Sequence, residues 1–179
     1  MSTQVQYYQN NKINPVDLSL DNKKKLESYK ALRKRLFLEI LKIPFDNIQD
    51  KTLIEFGPNG GENSLIFAQT GYEIIFKEPN SDAHQNIIQL YKECGFINLI
   101  NIEEKYLDYP DKDLQKASIV LAEGFLETCP DIKESISQLC LHSSEYVIFS
   151  YLDKIGTFFD NLKSALLRLI INITKEGSI

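Results

Sequence analysis

Between Leu53 and Ser64 the chain reads Leu-Ile-Glu-Phe-Gly-Pro-Asn-Gly-Gly-Glu-Asn-Ser, a short apolar run that breaks into a glycine-rich turn and reopens as a helix. Glycine has two uses in such a turn. It accepts the positive φ that a sharp reversal requires, and its missing side chain lets backbone groups come close to a bound molecule. Glu78 ends the next β-like run twenty-one residues after Gly57, the separation at which a carboxylate can accept hydrogen bonds from ribose hydroxyls. A backbone cradle and an acid at this spacing read as a nucleotide-binding βαβ unit from Leu53 to Asn80.

The rest of the chain supplies elements able to hold that unit. From Lys51 onward, short apolar runs alternate with helix-like ones, the pattern of a parallel sheet covered by crossover helices. The runs predict strands at Thr52–Phe56, Glu73–Lys77, Ile97–Ile102, Ser118–Ala122 and Glu145–Tyr151. Helices are predicted at Glu62–Thr70, Ser81–Cys94 and Asp131–Leu141, and Gly71 and Gly95 stand where left-handed C-terminal caps belong. The polar stretch from Glu103 to Lys116 is ambiguous, with a short helix around Lys112 to Lys116 as one option. A long helix with a broad apolar face is predicted at Ile155–Thr174. Ahead of all this, Asp21 to Ile43 places Leu26, Tyr29, Leu36, Phe37, Ile40 and Leu41 on one helical stripe. Its basic residues, Lys23, Lys24, Lys25, Lys30, Arg33, Lys34 and Arg35, read chiefly as a solvated face, with an anionic partner as the other option. The expected fold is therefore α/β, a doubly wound, mostly parallel sheet of about five strands with an N-terminal helix. Residues 1–50 form the polar lead and helix, and residues 51–179 the Rossmann-like domain, in one compact unit.

Glu55-x-Gly57-x-Asn59-x-Gly61 resembles motif I of class I S-adenosylmethionine-dependent methyltransferases, usually written E-x-G-x-G-x-G, and Glu78-Pro79-Asn80 resembles the acidic end of their second strand. The likeness runs in strand order from about Lys51 to Tyr151. Asn59 replaces the middle glycine, and asparagine is the next most tolerant of the left-handed conformation. The resemblance implies S-adenosylmethionine as cofactor, with Gly57, Asn59 and Gly61 lining its methionine and ribose parts. It further implies that Glu55 supports the loop or the sulfonium side, that Glu78 takes the ribose, and that adenine packs within Glu103 to Tyr106. The spacing of Gly57-Pro58-Asn59-Gly60-Gly61-Glu62 does not fit the G-x-G-x-x-G of nicotinamide dehydrogenases, and no G-x-x-x-x-G-K-[ST] of P-loop nucleotidases occurs.

In this fold the carboxyl end of the fourth strand faces the transferred methyl, which makes Glu123 the candidate for substrate contact or general base. Glu123 and Glu127 can equally be solvated or loop-capping carboxylates. The tetrapeptide Asn/Asp-Pro-Pro-aromatic of enzymes acting on amide or ring nitrogens is absent after this strand, which together with an acidic body directs the expectation to a small-molecule or saccharide acceptor. His84 and His142 read as surface residues rather than bases, and Tyr7 and Tyr8 as loose N-terminal aromatics or a cover for the cofactor mouth.

The family ordinarily finishes with an antiparallel hairpin whose last strand inserts beside the fifth. With a helix predicted at Ile155–Thr174, that hairpin is expected to be missing and the strand at Glu145–Tyr151 to be an exposed apolar edge. A homodimer or a partner chain covering that edge is the corresponding expectation. A non-catalytic cofactor-binding or assembly subunit is then the alternative to an active enzyme.

Composition sets the outer limits. In 179 residues, 43% hydrophobic, with a mean hydropathy of −0.24, no apolar run is long enough to span a bilayer, and a polar N-terminus unlike a signal peptide points to the cytoplasm. Residues 1–51 hold ten Lys/Arg against six Asp/Glu, a net of +4, leaving −9 of the total −5 for residues 52–179. An acidic body disfavours a nucleic-acid partner. Cys94, Cys129 and Cys140 lack Cys-x-x-Cys spacing and, with two histidines, suggest no metal site.

Overall fold

The computed structural model describes residues 23–105, 114–151 and 167–172. Six strands form one sheet in the order β3-β2-β1-β4-β5-β6. They are β1 (Thr52–Phe56), β2 (Glu73–Lys77), β3 (Ile100–Glu103), β4 (Ala117–Ala122), β5 (Ser143–Tyr151) and β6 (Leu167–Asn172). The first five run parallel, and β6 lies antiparallel against β5, pairing Tyr146 with Asn172 through Tyr151 with Leu167. The helices are α1 (Lys23–Lys34), α2 (Leu65–Gln69), α3 (Ser81–Glu93) and α4 (Ile132–His142).

Burial on both faces explains why β1 and β4 read as continuous apolar runs. Alternate residues of each strand enter opposite cores. Leu53, Ile119, Leu121 and Ile148 join the core under α1, α2 and α3, whereas Ile54, Phe56, Val120 and Val147 join the one under α4. The first core also takes Phe37, Ile43, Phe45 and Ile48, so the N-terminal segment shares its interior with the sheet. Phe67 sits at its centre, with Phe37, Phe45 and Tyr72 at ring-centroid distances of 5.0, 4.9 and 5.6 Å.

The helix starts follow local chemistry. The Asn80 side chain accepts the N–H of Asp82 at the head of α3, and Asp131 accepts that of Glu134 at the head of α4. Gly71 and Gly95 adopt φ of 86° and 80° just past α2 and α3, fulfilling the predicted caps.

Four expectations are corrected. The predicted helix at Glu62–Thr70 begins as a 3-10 turn over Glu62–Ser64 before becoming α2, and strand β3 starts at Ile100, because Ile97–Leu99 forms a 3-10 turn of its own. The helix predicted at Ile155–Thr174 is not continuous, since Leu167–Asn172 is strand β6. With β6 in place, β5 is an inner strand and not an exposed edge; the hydrogen-bonding row that β5 offers outweighs a helix-like apolar spacing. A partner chain is therefore not needed to cover β5. The option of a helix at Lys112–Lys116 falls partly outside the described residues, and Leu114–Lys116 has no regular structure. No helix among the described residues is long and apolar enough to cross a membrane.

The N-terminal helix also differs from its predicted form. Past Lys34 it widens into a π-helix over Arg35–Ile40, closed by the Leu41 N–H donating to the Leu36 carbonyl at 2.9 Å. The wider turn shifts the buried stripe, so that Leu36 and Phe37 stay inside while Ile40 becomes 63% exposed.

Candidate functional site

Strands β1 and β4 are neighbours, but the chain leaves β1 toward β2 and returns from β3 to β4. Their carboxyl ends thus flank the point where strand order reverses, the usual ligand crevice of an open α/β sheet. Registers of Phe56 with Lys77 and of Glu55 with Leu121 bring Gly57, Glu78 and Glu123 to the same end of the sheet.

The glycine turn has the conformation its sequence implied. Gly57, Asn59 and Gly61 take φ of 63°, 53° and 80°, so asparagine does occupy the left-handed position in place of the middle glycine. The three serve different purposes. A Cβ on Gly57 would lie 3.0 Å from Cδ2 of Phe125, which packs over the turn from the loop after β4. Gly61 is pressed against α3, where a Cβ would lie 3.3 Å from Ile87 and Tyr91, and its carbonyl accepts the Tyr91 hydroxyl at 3.1 Å. At Gly60 a Cβ would overlap the Glu62 carboxylate, which folds back over the turn. Burial raises the Glu62 carboxyl, against a bond from its own backbone N–H.

Glu78 is 6% exposed. Its carboxylate accepts the Asn80 N–H at 2.8 Å and a backbone bond from Asn59, which ties the end of β2 to the glycine turn. Burial nonetheless pushes it above the ordinary carboxylate value, with His84 opposing. The His84 Nε2 donates to the Glu78 carbonyl at 2.7 Å, giving this histidine a structural task.

Glu55 projects from β1 into the core face and is 1% exposed. It accepts from the Ser64 hydroxyl and from Asn63 Nδ2 at 3.3 Å. Burial pushes its carboxyl from the usual 4.5 up to about 8, with the Ser64 and Asn63 bonds and the Arg33 charge pulling the other way. Asn63 in turn accepts the Tyr29 hydroxyl from α1. Burial raises that phenol to about 12, with Arg33 opposing. The chain Tyr29–Asn63–Glu55 thereby fastens the N-terminal helix over the site.

Glu123, two residues before the Phe125 lid, is engaged by Arg33 of α1 at 2.6 Å, with the two side chains 9% and 4% exposed. The pair removes Arg33 from the solvated basic face expected for this helix. The guanidinium carbon lies 4.7 Å from the Phe37 ring centroid and 5.7 Å from that of Tyr29, distances suited to cation–π contact. Removing one partner of a buried pair of this kind costs about 3–5 kcal/mol.

The site thus unites Glu55, Gly57, Asn59, Gly61, Glu78 and Glu123, all singled out in the sequence, with Tyr29, Arg33, Glu62, Asn63, Ser64 and Phe125, which were not assigned to it. A signal for two of them was present: Tyr29, Arg33 and Phe37 recur every four residues, which puts Arg33 on the buried stripe of its helix. Of the residues considered for adenine, Glu103 accepts from Lys77 at 2.6 Å, and Tyr106 lies outside the described residues. Glu127 is exposed in the 3-10 turn Leu126–Thr128 before α4.

No family model matches the chain, and no curated protein does. Solved structures do. Magnesium protoporphyrin IX methyltransferase from Synechocystis PCC 6803, with bound S-adenosylmethionine, is similar at a TM-score of 0.56 and 15% identity over 90% of this chain and 77% of its own. Coclaurine N-methyltransferase, bound to N-methylheliamine and S-adenosylhomocysteine, gives 0.58 at 12% identity over 70% and 36%. A methyltransferase from Agrobacterium tumefaciens gives 0.56 at 11% identity over 72% and 47%. The chain spans less than two thirds of the length of most of these similar chains. At such identities the likeness speaks of fold. The fold is that of the class I S-adenosylmethionine-dependent methyltransferases.

Proposed function

We propose that this chain binds S-adenosylmethionine at the crevice between β1 and β4 and transfers its methyl group to a small-molecule or saccharide acceptor. One observation carries the choice of ligand: the Glu62 carboxylate lies folded over the glycine turn. In a dinucleotide-binding protein that turn meets a pyrophosphate, and a second anion there would be repelled. Glu78 and Glu123 add two further buried or half-buried acids against the single guanidinium of Arg33, and Glu55, whose carboxyl burial raises to about 8, can ionise beside a bound cation. Such surroundings suit a nucleoside that carries positive charge, as a sulfonium and an ammonium do.

The residues present fit the cofactor. Gly57 and Asn59 hold the backbone in the left-handed turn, Glu78 stands at ribose spacing, and Phe125 bounds the crevice on the β4 side. When bound, the cofactor supplies an electrophilic methyl for in-line displacement. The protein's contribution is then alignment and exclusion of water, which supply much of the acceleration without a dedicated base. Glu78 would orient the ribose, and the loop Glu123–Phe125 would bound the acceptor side. Arg33 engages Oε2 of Glu123, so taking a proton from an acceptor at that oxygen would require the pair to part. Acceptors named for similar structures, magnesium protoporphyrin IX among them, support a small molecule.

Calorimetric titration of the purified chain with S-adenosylmethionine and S-adenosylhomocysteine tests the reading. We expect micromolar binding that Glu78→Ala weakens at least tenfold; no binding at millimolar cofactor would overturn it. A second reading, a cofactor-binding subunit without turnover of its own, draws on the engagement of Glu123 by Arg33. Binding without transfer to any acceptor in a broad screen, together with a stable homodimer or partner complex, would favour it.

A further inference from the structure

We propose that the outer face of α1 and the π-helical turn after it docks this protein on an anionic membrane surface, with Leu32 and Ile40 entering the headgroup layer between basic side chains. The inference stands apart from the cofactor reading, since it concerns the side of the helix turned away from the crevice.

Basic charge by itself would leave α1 a solvated helix. The apolar residues among the charges depart from that pattern. Leu32 and Ile40, 62% and 63% exposed, are the two most exposed large apolar side chains among the described residues. An unbroken α-helix would hold Ile40 on the buried stripe, four residues after Leu36 and three after Phe37. Eight residues overrun two α-helical turns by about 80°, and the wider turn that begins at Arg35 takes much of that overrun back. Ile40 is thereby brought round to the side of Leu32. Lys25 and Arg35, seven residues before Leu32 and three after it, share that side.

Around the pair the surface is positive. Lys24, Lys25, Lys34, Arg35 and Lys42 are exposed, against the exposed acids Glu27 and Glu39, and each acid lies beside a cation, Lys30 at 2.8 Å and Arg35 at 3.7 Å. A bilayer that contains anionic lipids offers phosphates to the cations and an apolar layer to the two aliphatic side chains. Nucleic acid offers only the phosphates. The net charge of −9 on residues 52–179 is repelled by the same membrane, which turns α1 toward it. The inner face of the helix meanwhile holds Tyr29 to Asn63 and Arg33 to Glu123 over the crevice, so docking sets the site close to the bilayer.

The chain has no tryptophan, so Leu32→Trp carries a single fluorescent reporter, and Leu141→Trp, at a 50% exposed position on α4 across the sheet, carries the control. Emission is followed as vesicles of phosphatidylcholine, with or without phosphatidylglycerol, are added to the full chain of each variant. With phosphatidylglycerol present, Leu32→Trp should shift to the blue and Leu141→Trp should not; with phosphatidylcholine alone, neither should. Co-sedimentation supplies the magnitude. Lys25→Gln with Arg35→Gln should lower partition onto the anionic vesicles about 25-fold, because each basic residue near such a surface is worth about fivefold. Leu32→Gln with Ile40→Gln should lower it at least about threefold through lost apolar contact. All four positions are exposed, so these variants should melt with the wild type. Absence of a blue shift, an equal shift at both reporter positions, or partition that the Leu32→Gln, Ile40→Gln variant leaves intact would overturn the proposal. The last result, joined by tight binding of a duplex oligonucleotide, would assign the face to nucleic acid instead.

Discussion

Replacing Glu55 by glutamine should make the protein less sensitive to alkaline pH. The carboxyl lies 1% exposed beside Ser64 and Asn63, and burial raises it from 4.5 to about 8. The sign follows from where the proton resides. Between these two values the folded chain holds a proton that the unfolded chain has released, so stability falls as pH rises. The advantage is present in full below the unfolded value and lost as pH passes through about 8. At 1.36 kcal/mol per unit, a change from pH 5 to pH 9 covers about 4 kcal/mol of that shift. Burial also raises Glu62 and Glu78, in the same direction. They are present in both proteins and cancel in the comparison. Urea unfolding of wild type and Glu55→Gln at pH 5 and pH 9 gives the difference directly. The gap between the two should change by several kcal/mol in favour of the variant at pH 9. Parallel pH dependences for the two proteins would refute the reasoning, because they would show that Glu55 is already ionised in the folded state at neutral pH.

Four other outcomes follow from the same structure. Titration of S-adenosylmethionine at pH 7 in buffers of different ionisation enthalpy should show release of up to about one proton, because a cation beside Glu55 favours its charged form; an enthalpy independent of buffer would count against contact between the two. Gly57→Ala, at φ 63° and with a Cβ 3.0 Å from Phe125, should lose about 1–2 kcal/mol to the left-handed conformation alone, and cofactor affinity with it. Asn59→Gly should be neutral or slightly stabilising in thermal melts. Proline at Ile170, which pairs with Ile148, should break the β5–β6 ladder and produce association visible by light scattering.

Parallel strands buried on both faces leave long apolar runs in a sequence, which is why β1 was legible to the residue and β4 to within one. Their caps and turns were legible too, since Asn59, Gly71 and Gly95 have few alternative uses at those places. The edge strand β3 was harder. Its residues are half-exposed, and Ile97–Leu99, apolar enough for a strand, closes a 3-10 turn after α3. At Leu167–Asn172 the apolar residues suit a helix as well as a strand, and the choice was made by a neighbour distant in sequence, β5. For the candidate site, spacing revealed the residues of the glycine turn and of the strand ends. It missed those recruited from elsewhere in the chain. That Arg33 meets Glu123, ninety positions on, depends on how α1 lies across the sheet. That Glu62 folds back over Gly60 depends on a rotamer.

The place of β6 bears on how the chain is made. During synthesis β5 is complete when Tyr151 leaves the ribosome, whereas its antiparallel neighbour spans Leu167–Asn172. At about 5–20 residues per second the nascent chain carries the open, apolar margin of β5 for on the order of one to a few seconds, far longer than the microseconds in which a hairpin closes. Chaperone capture in that interval, and its loss once residue 172 has emerged, would be the cellular trace of a strand that arrives after the one it covers.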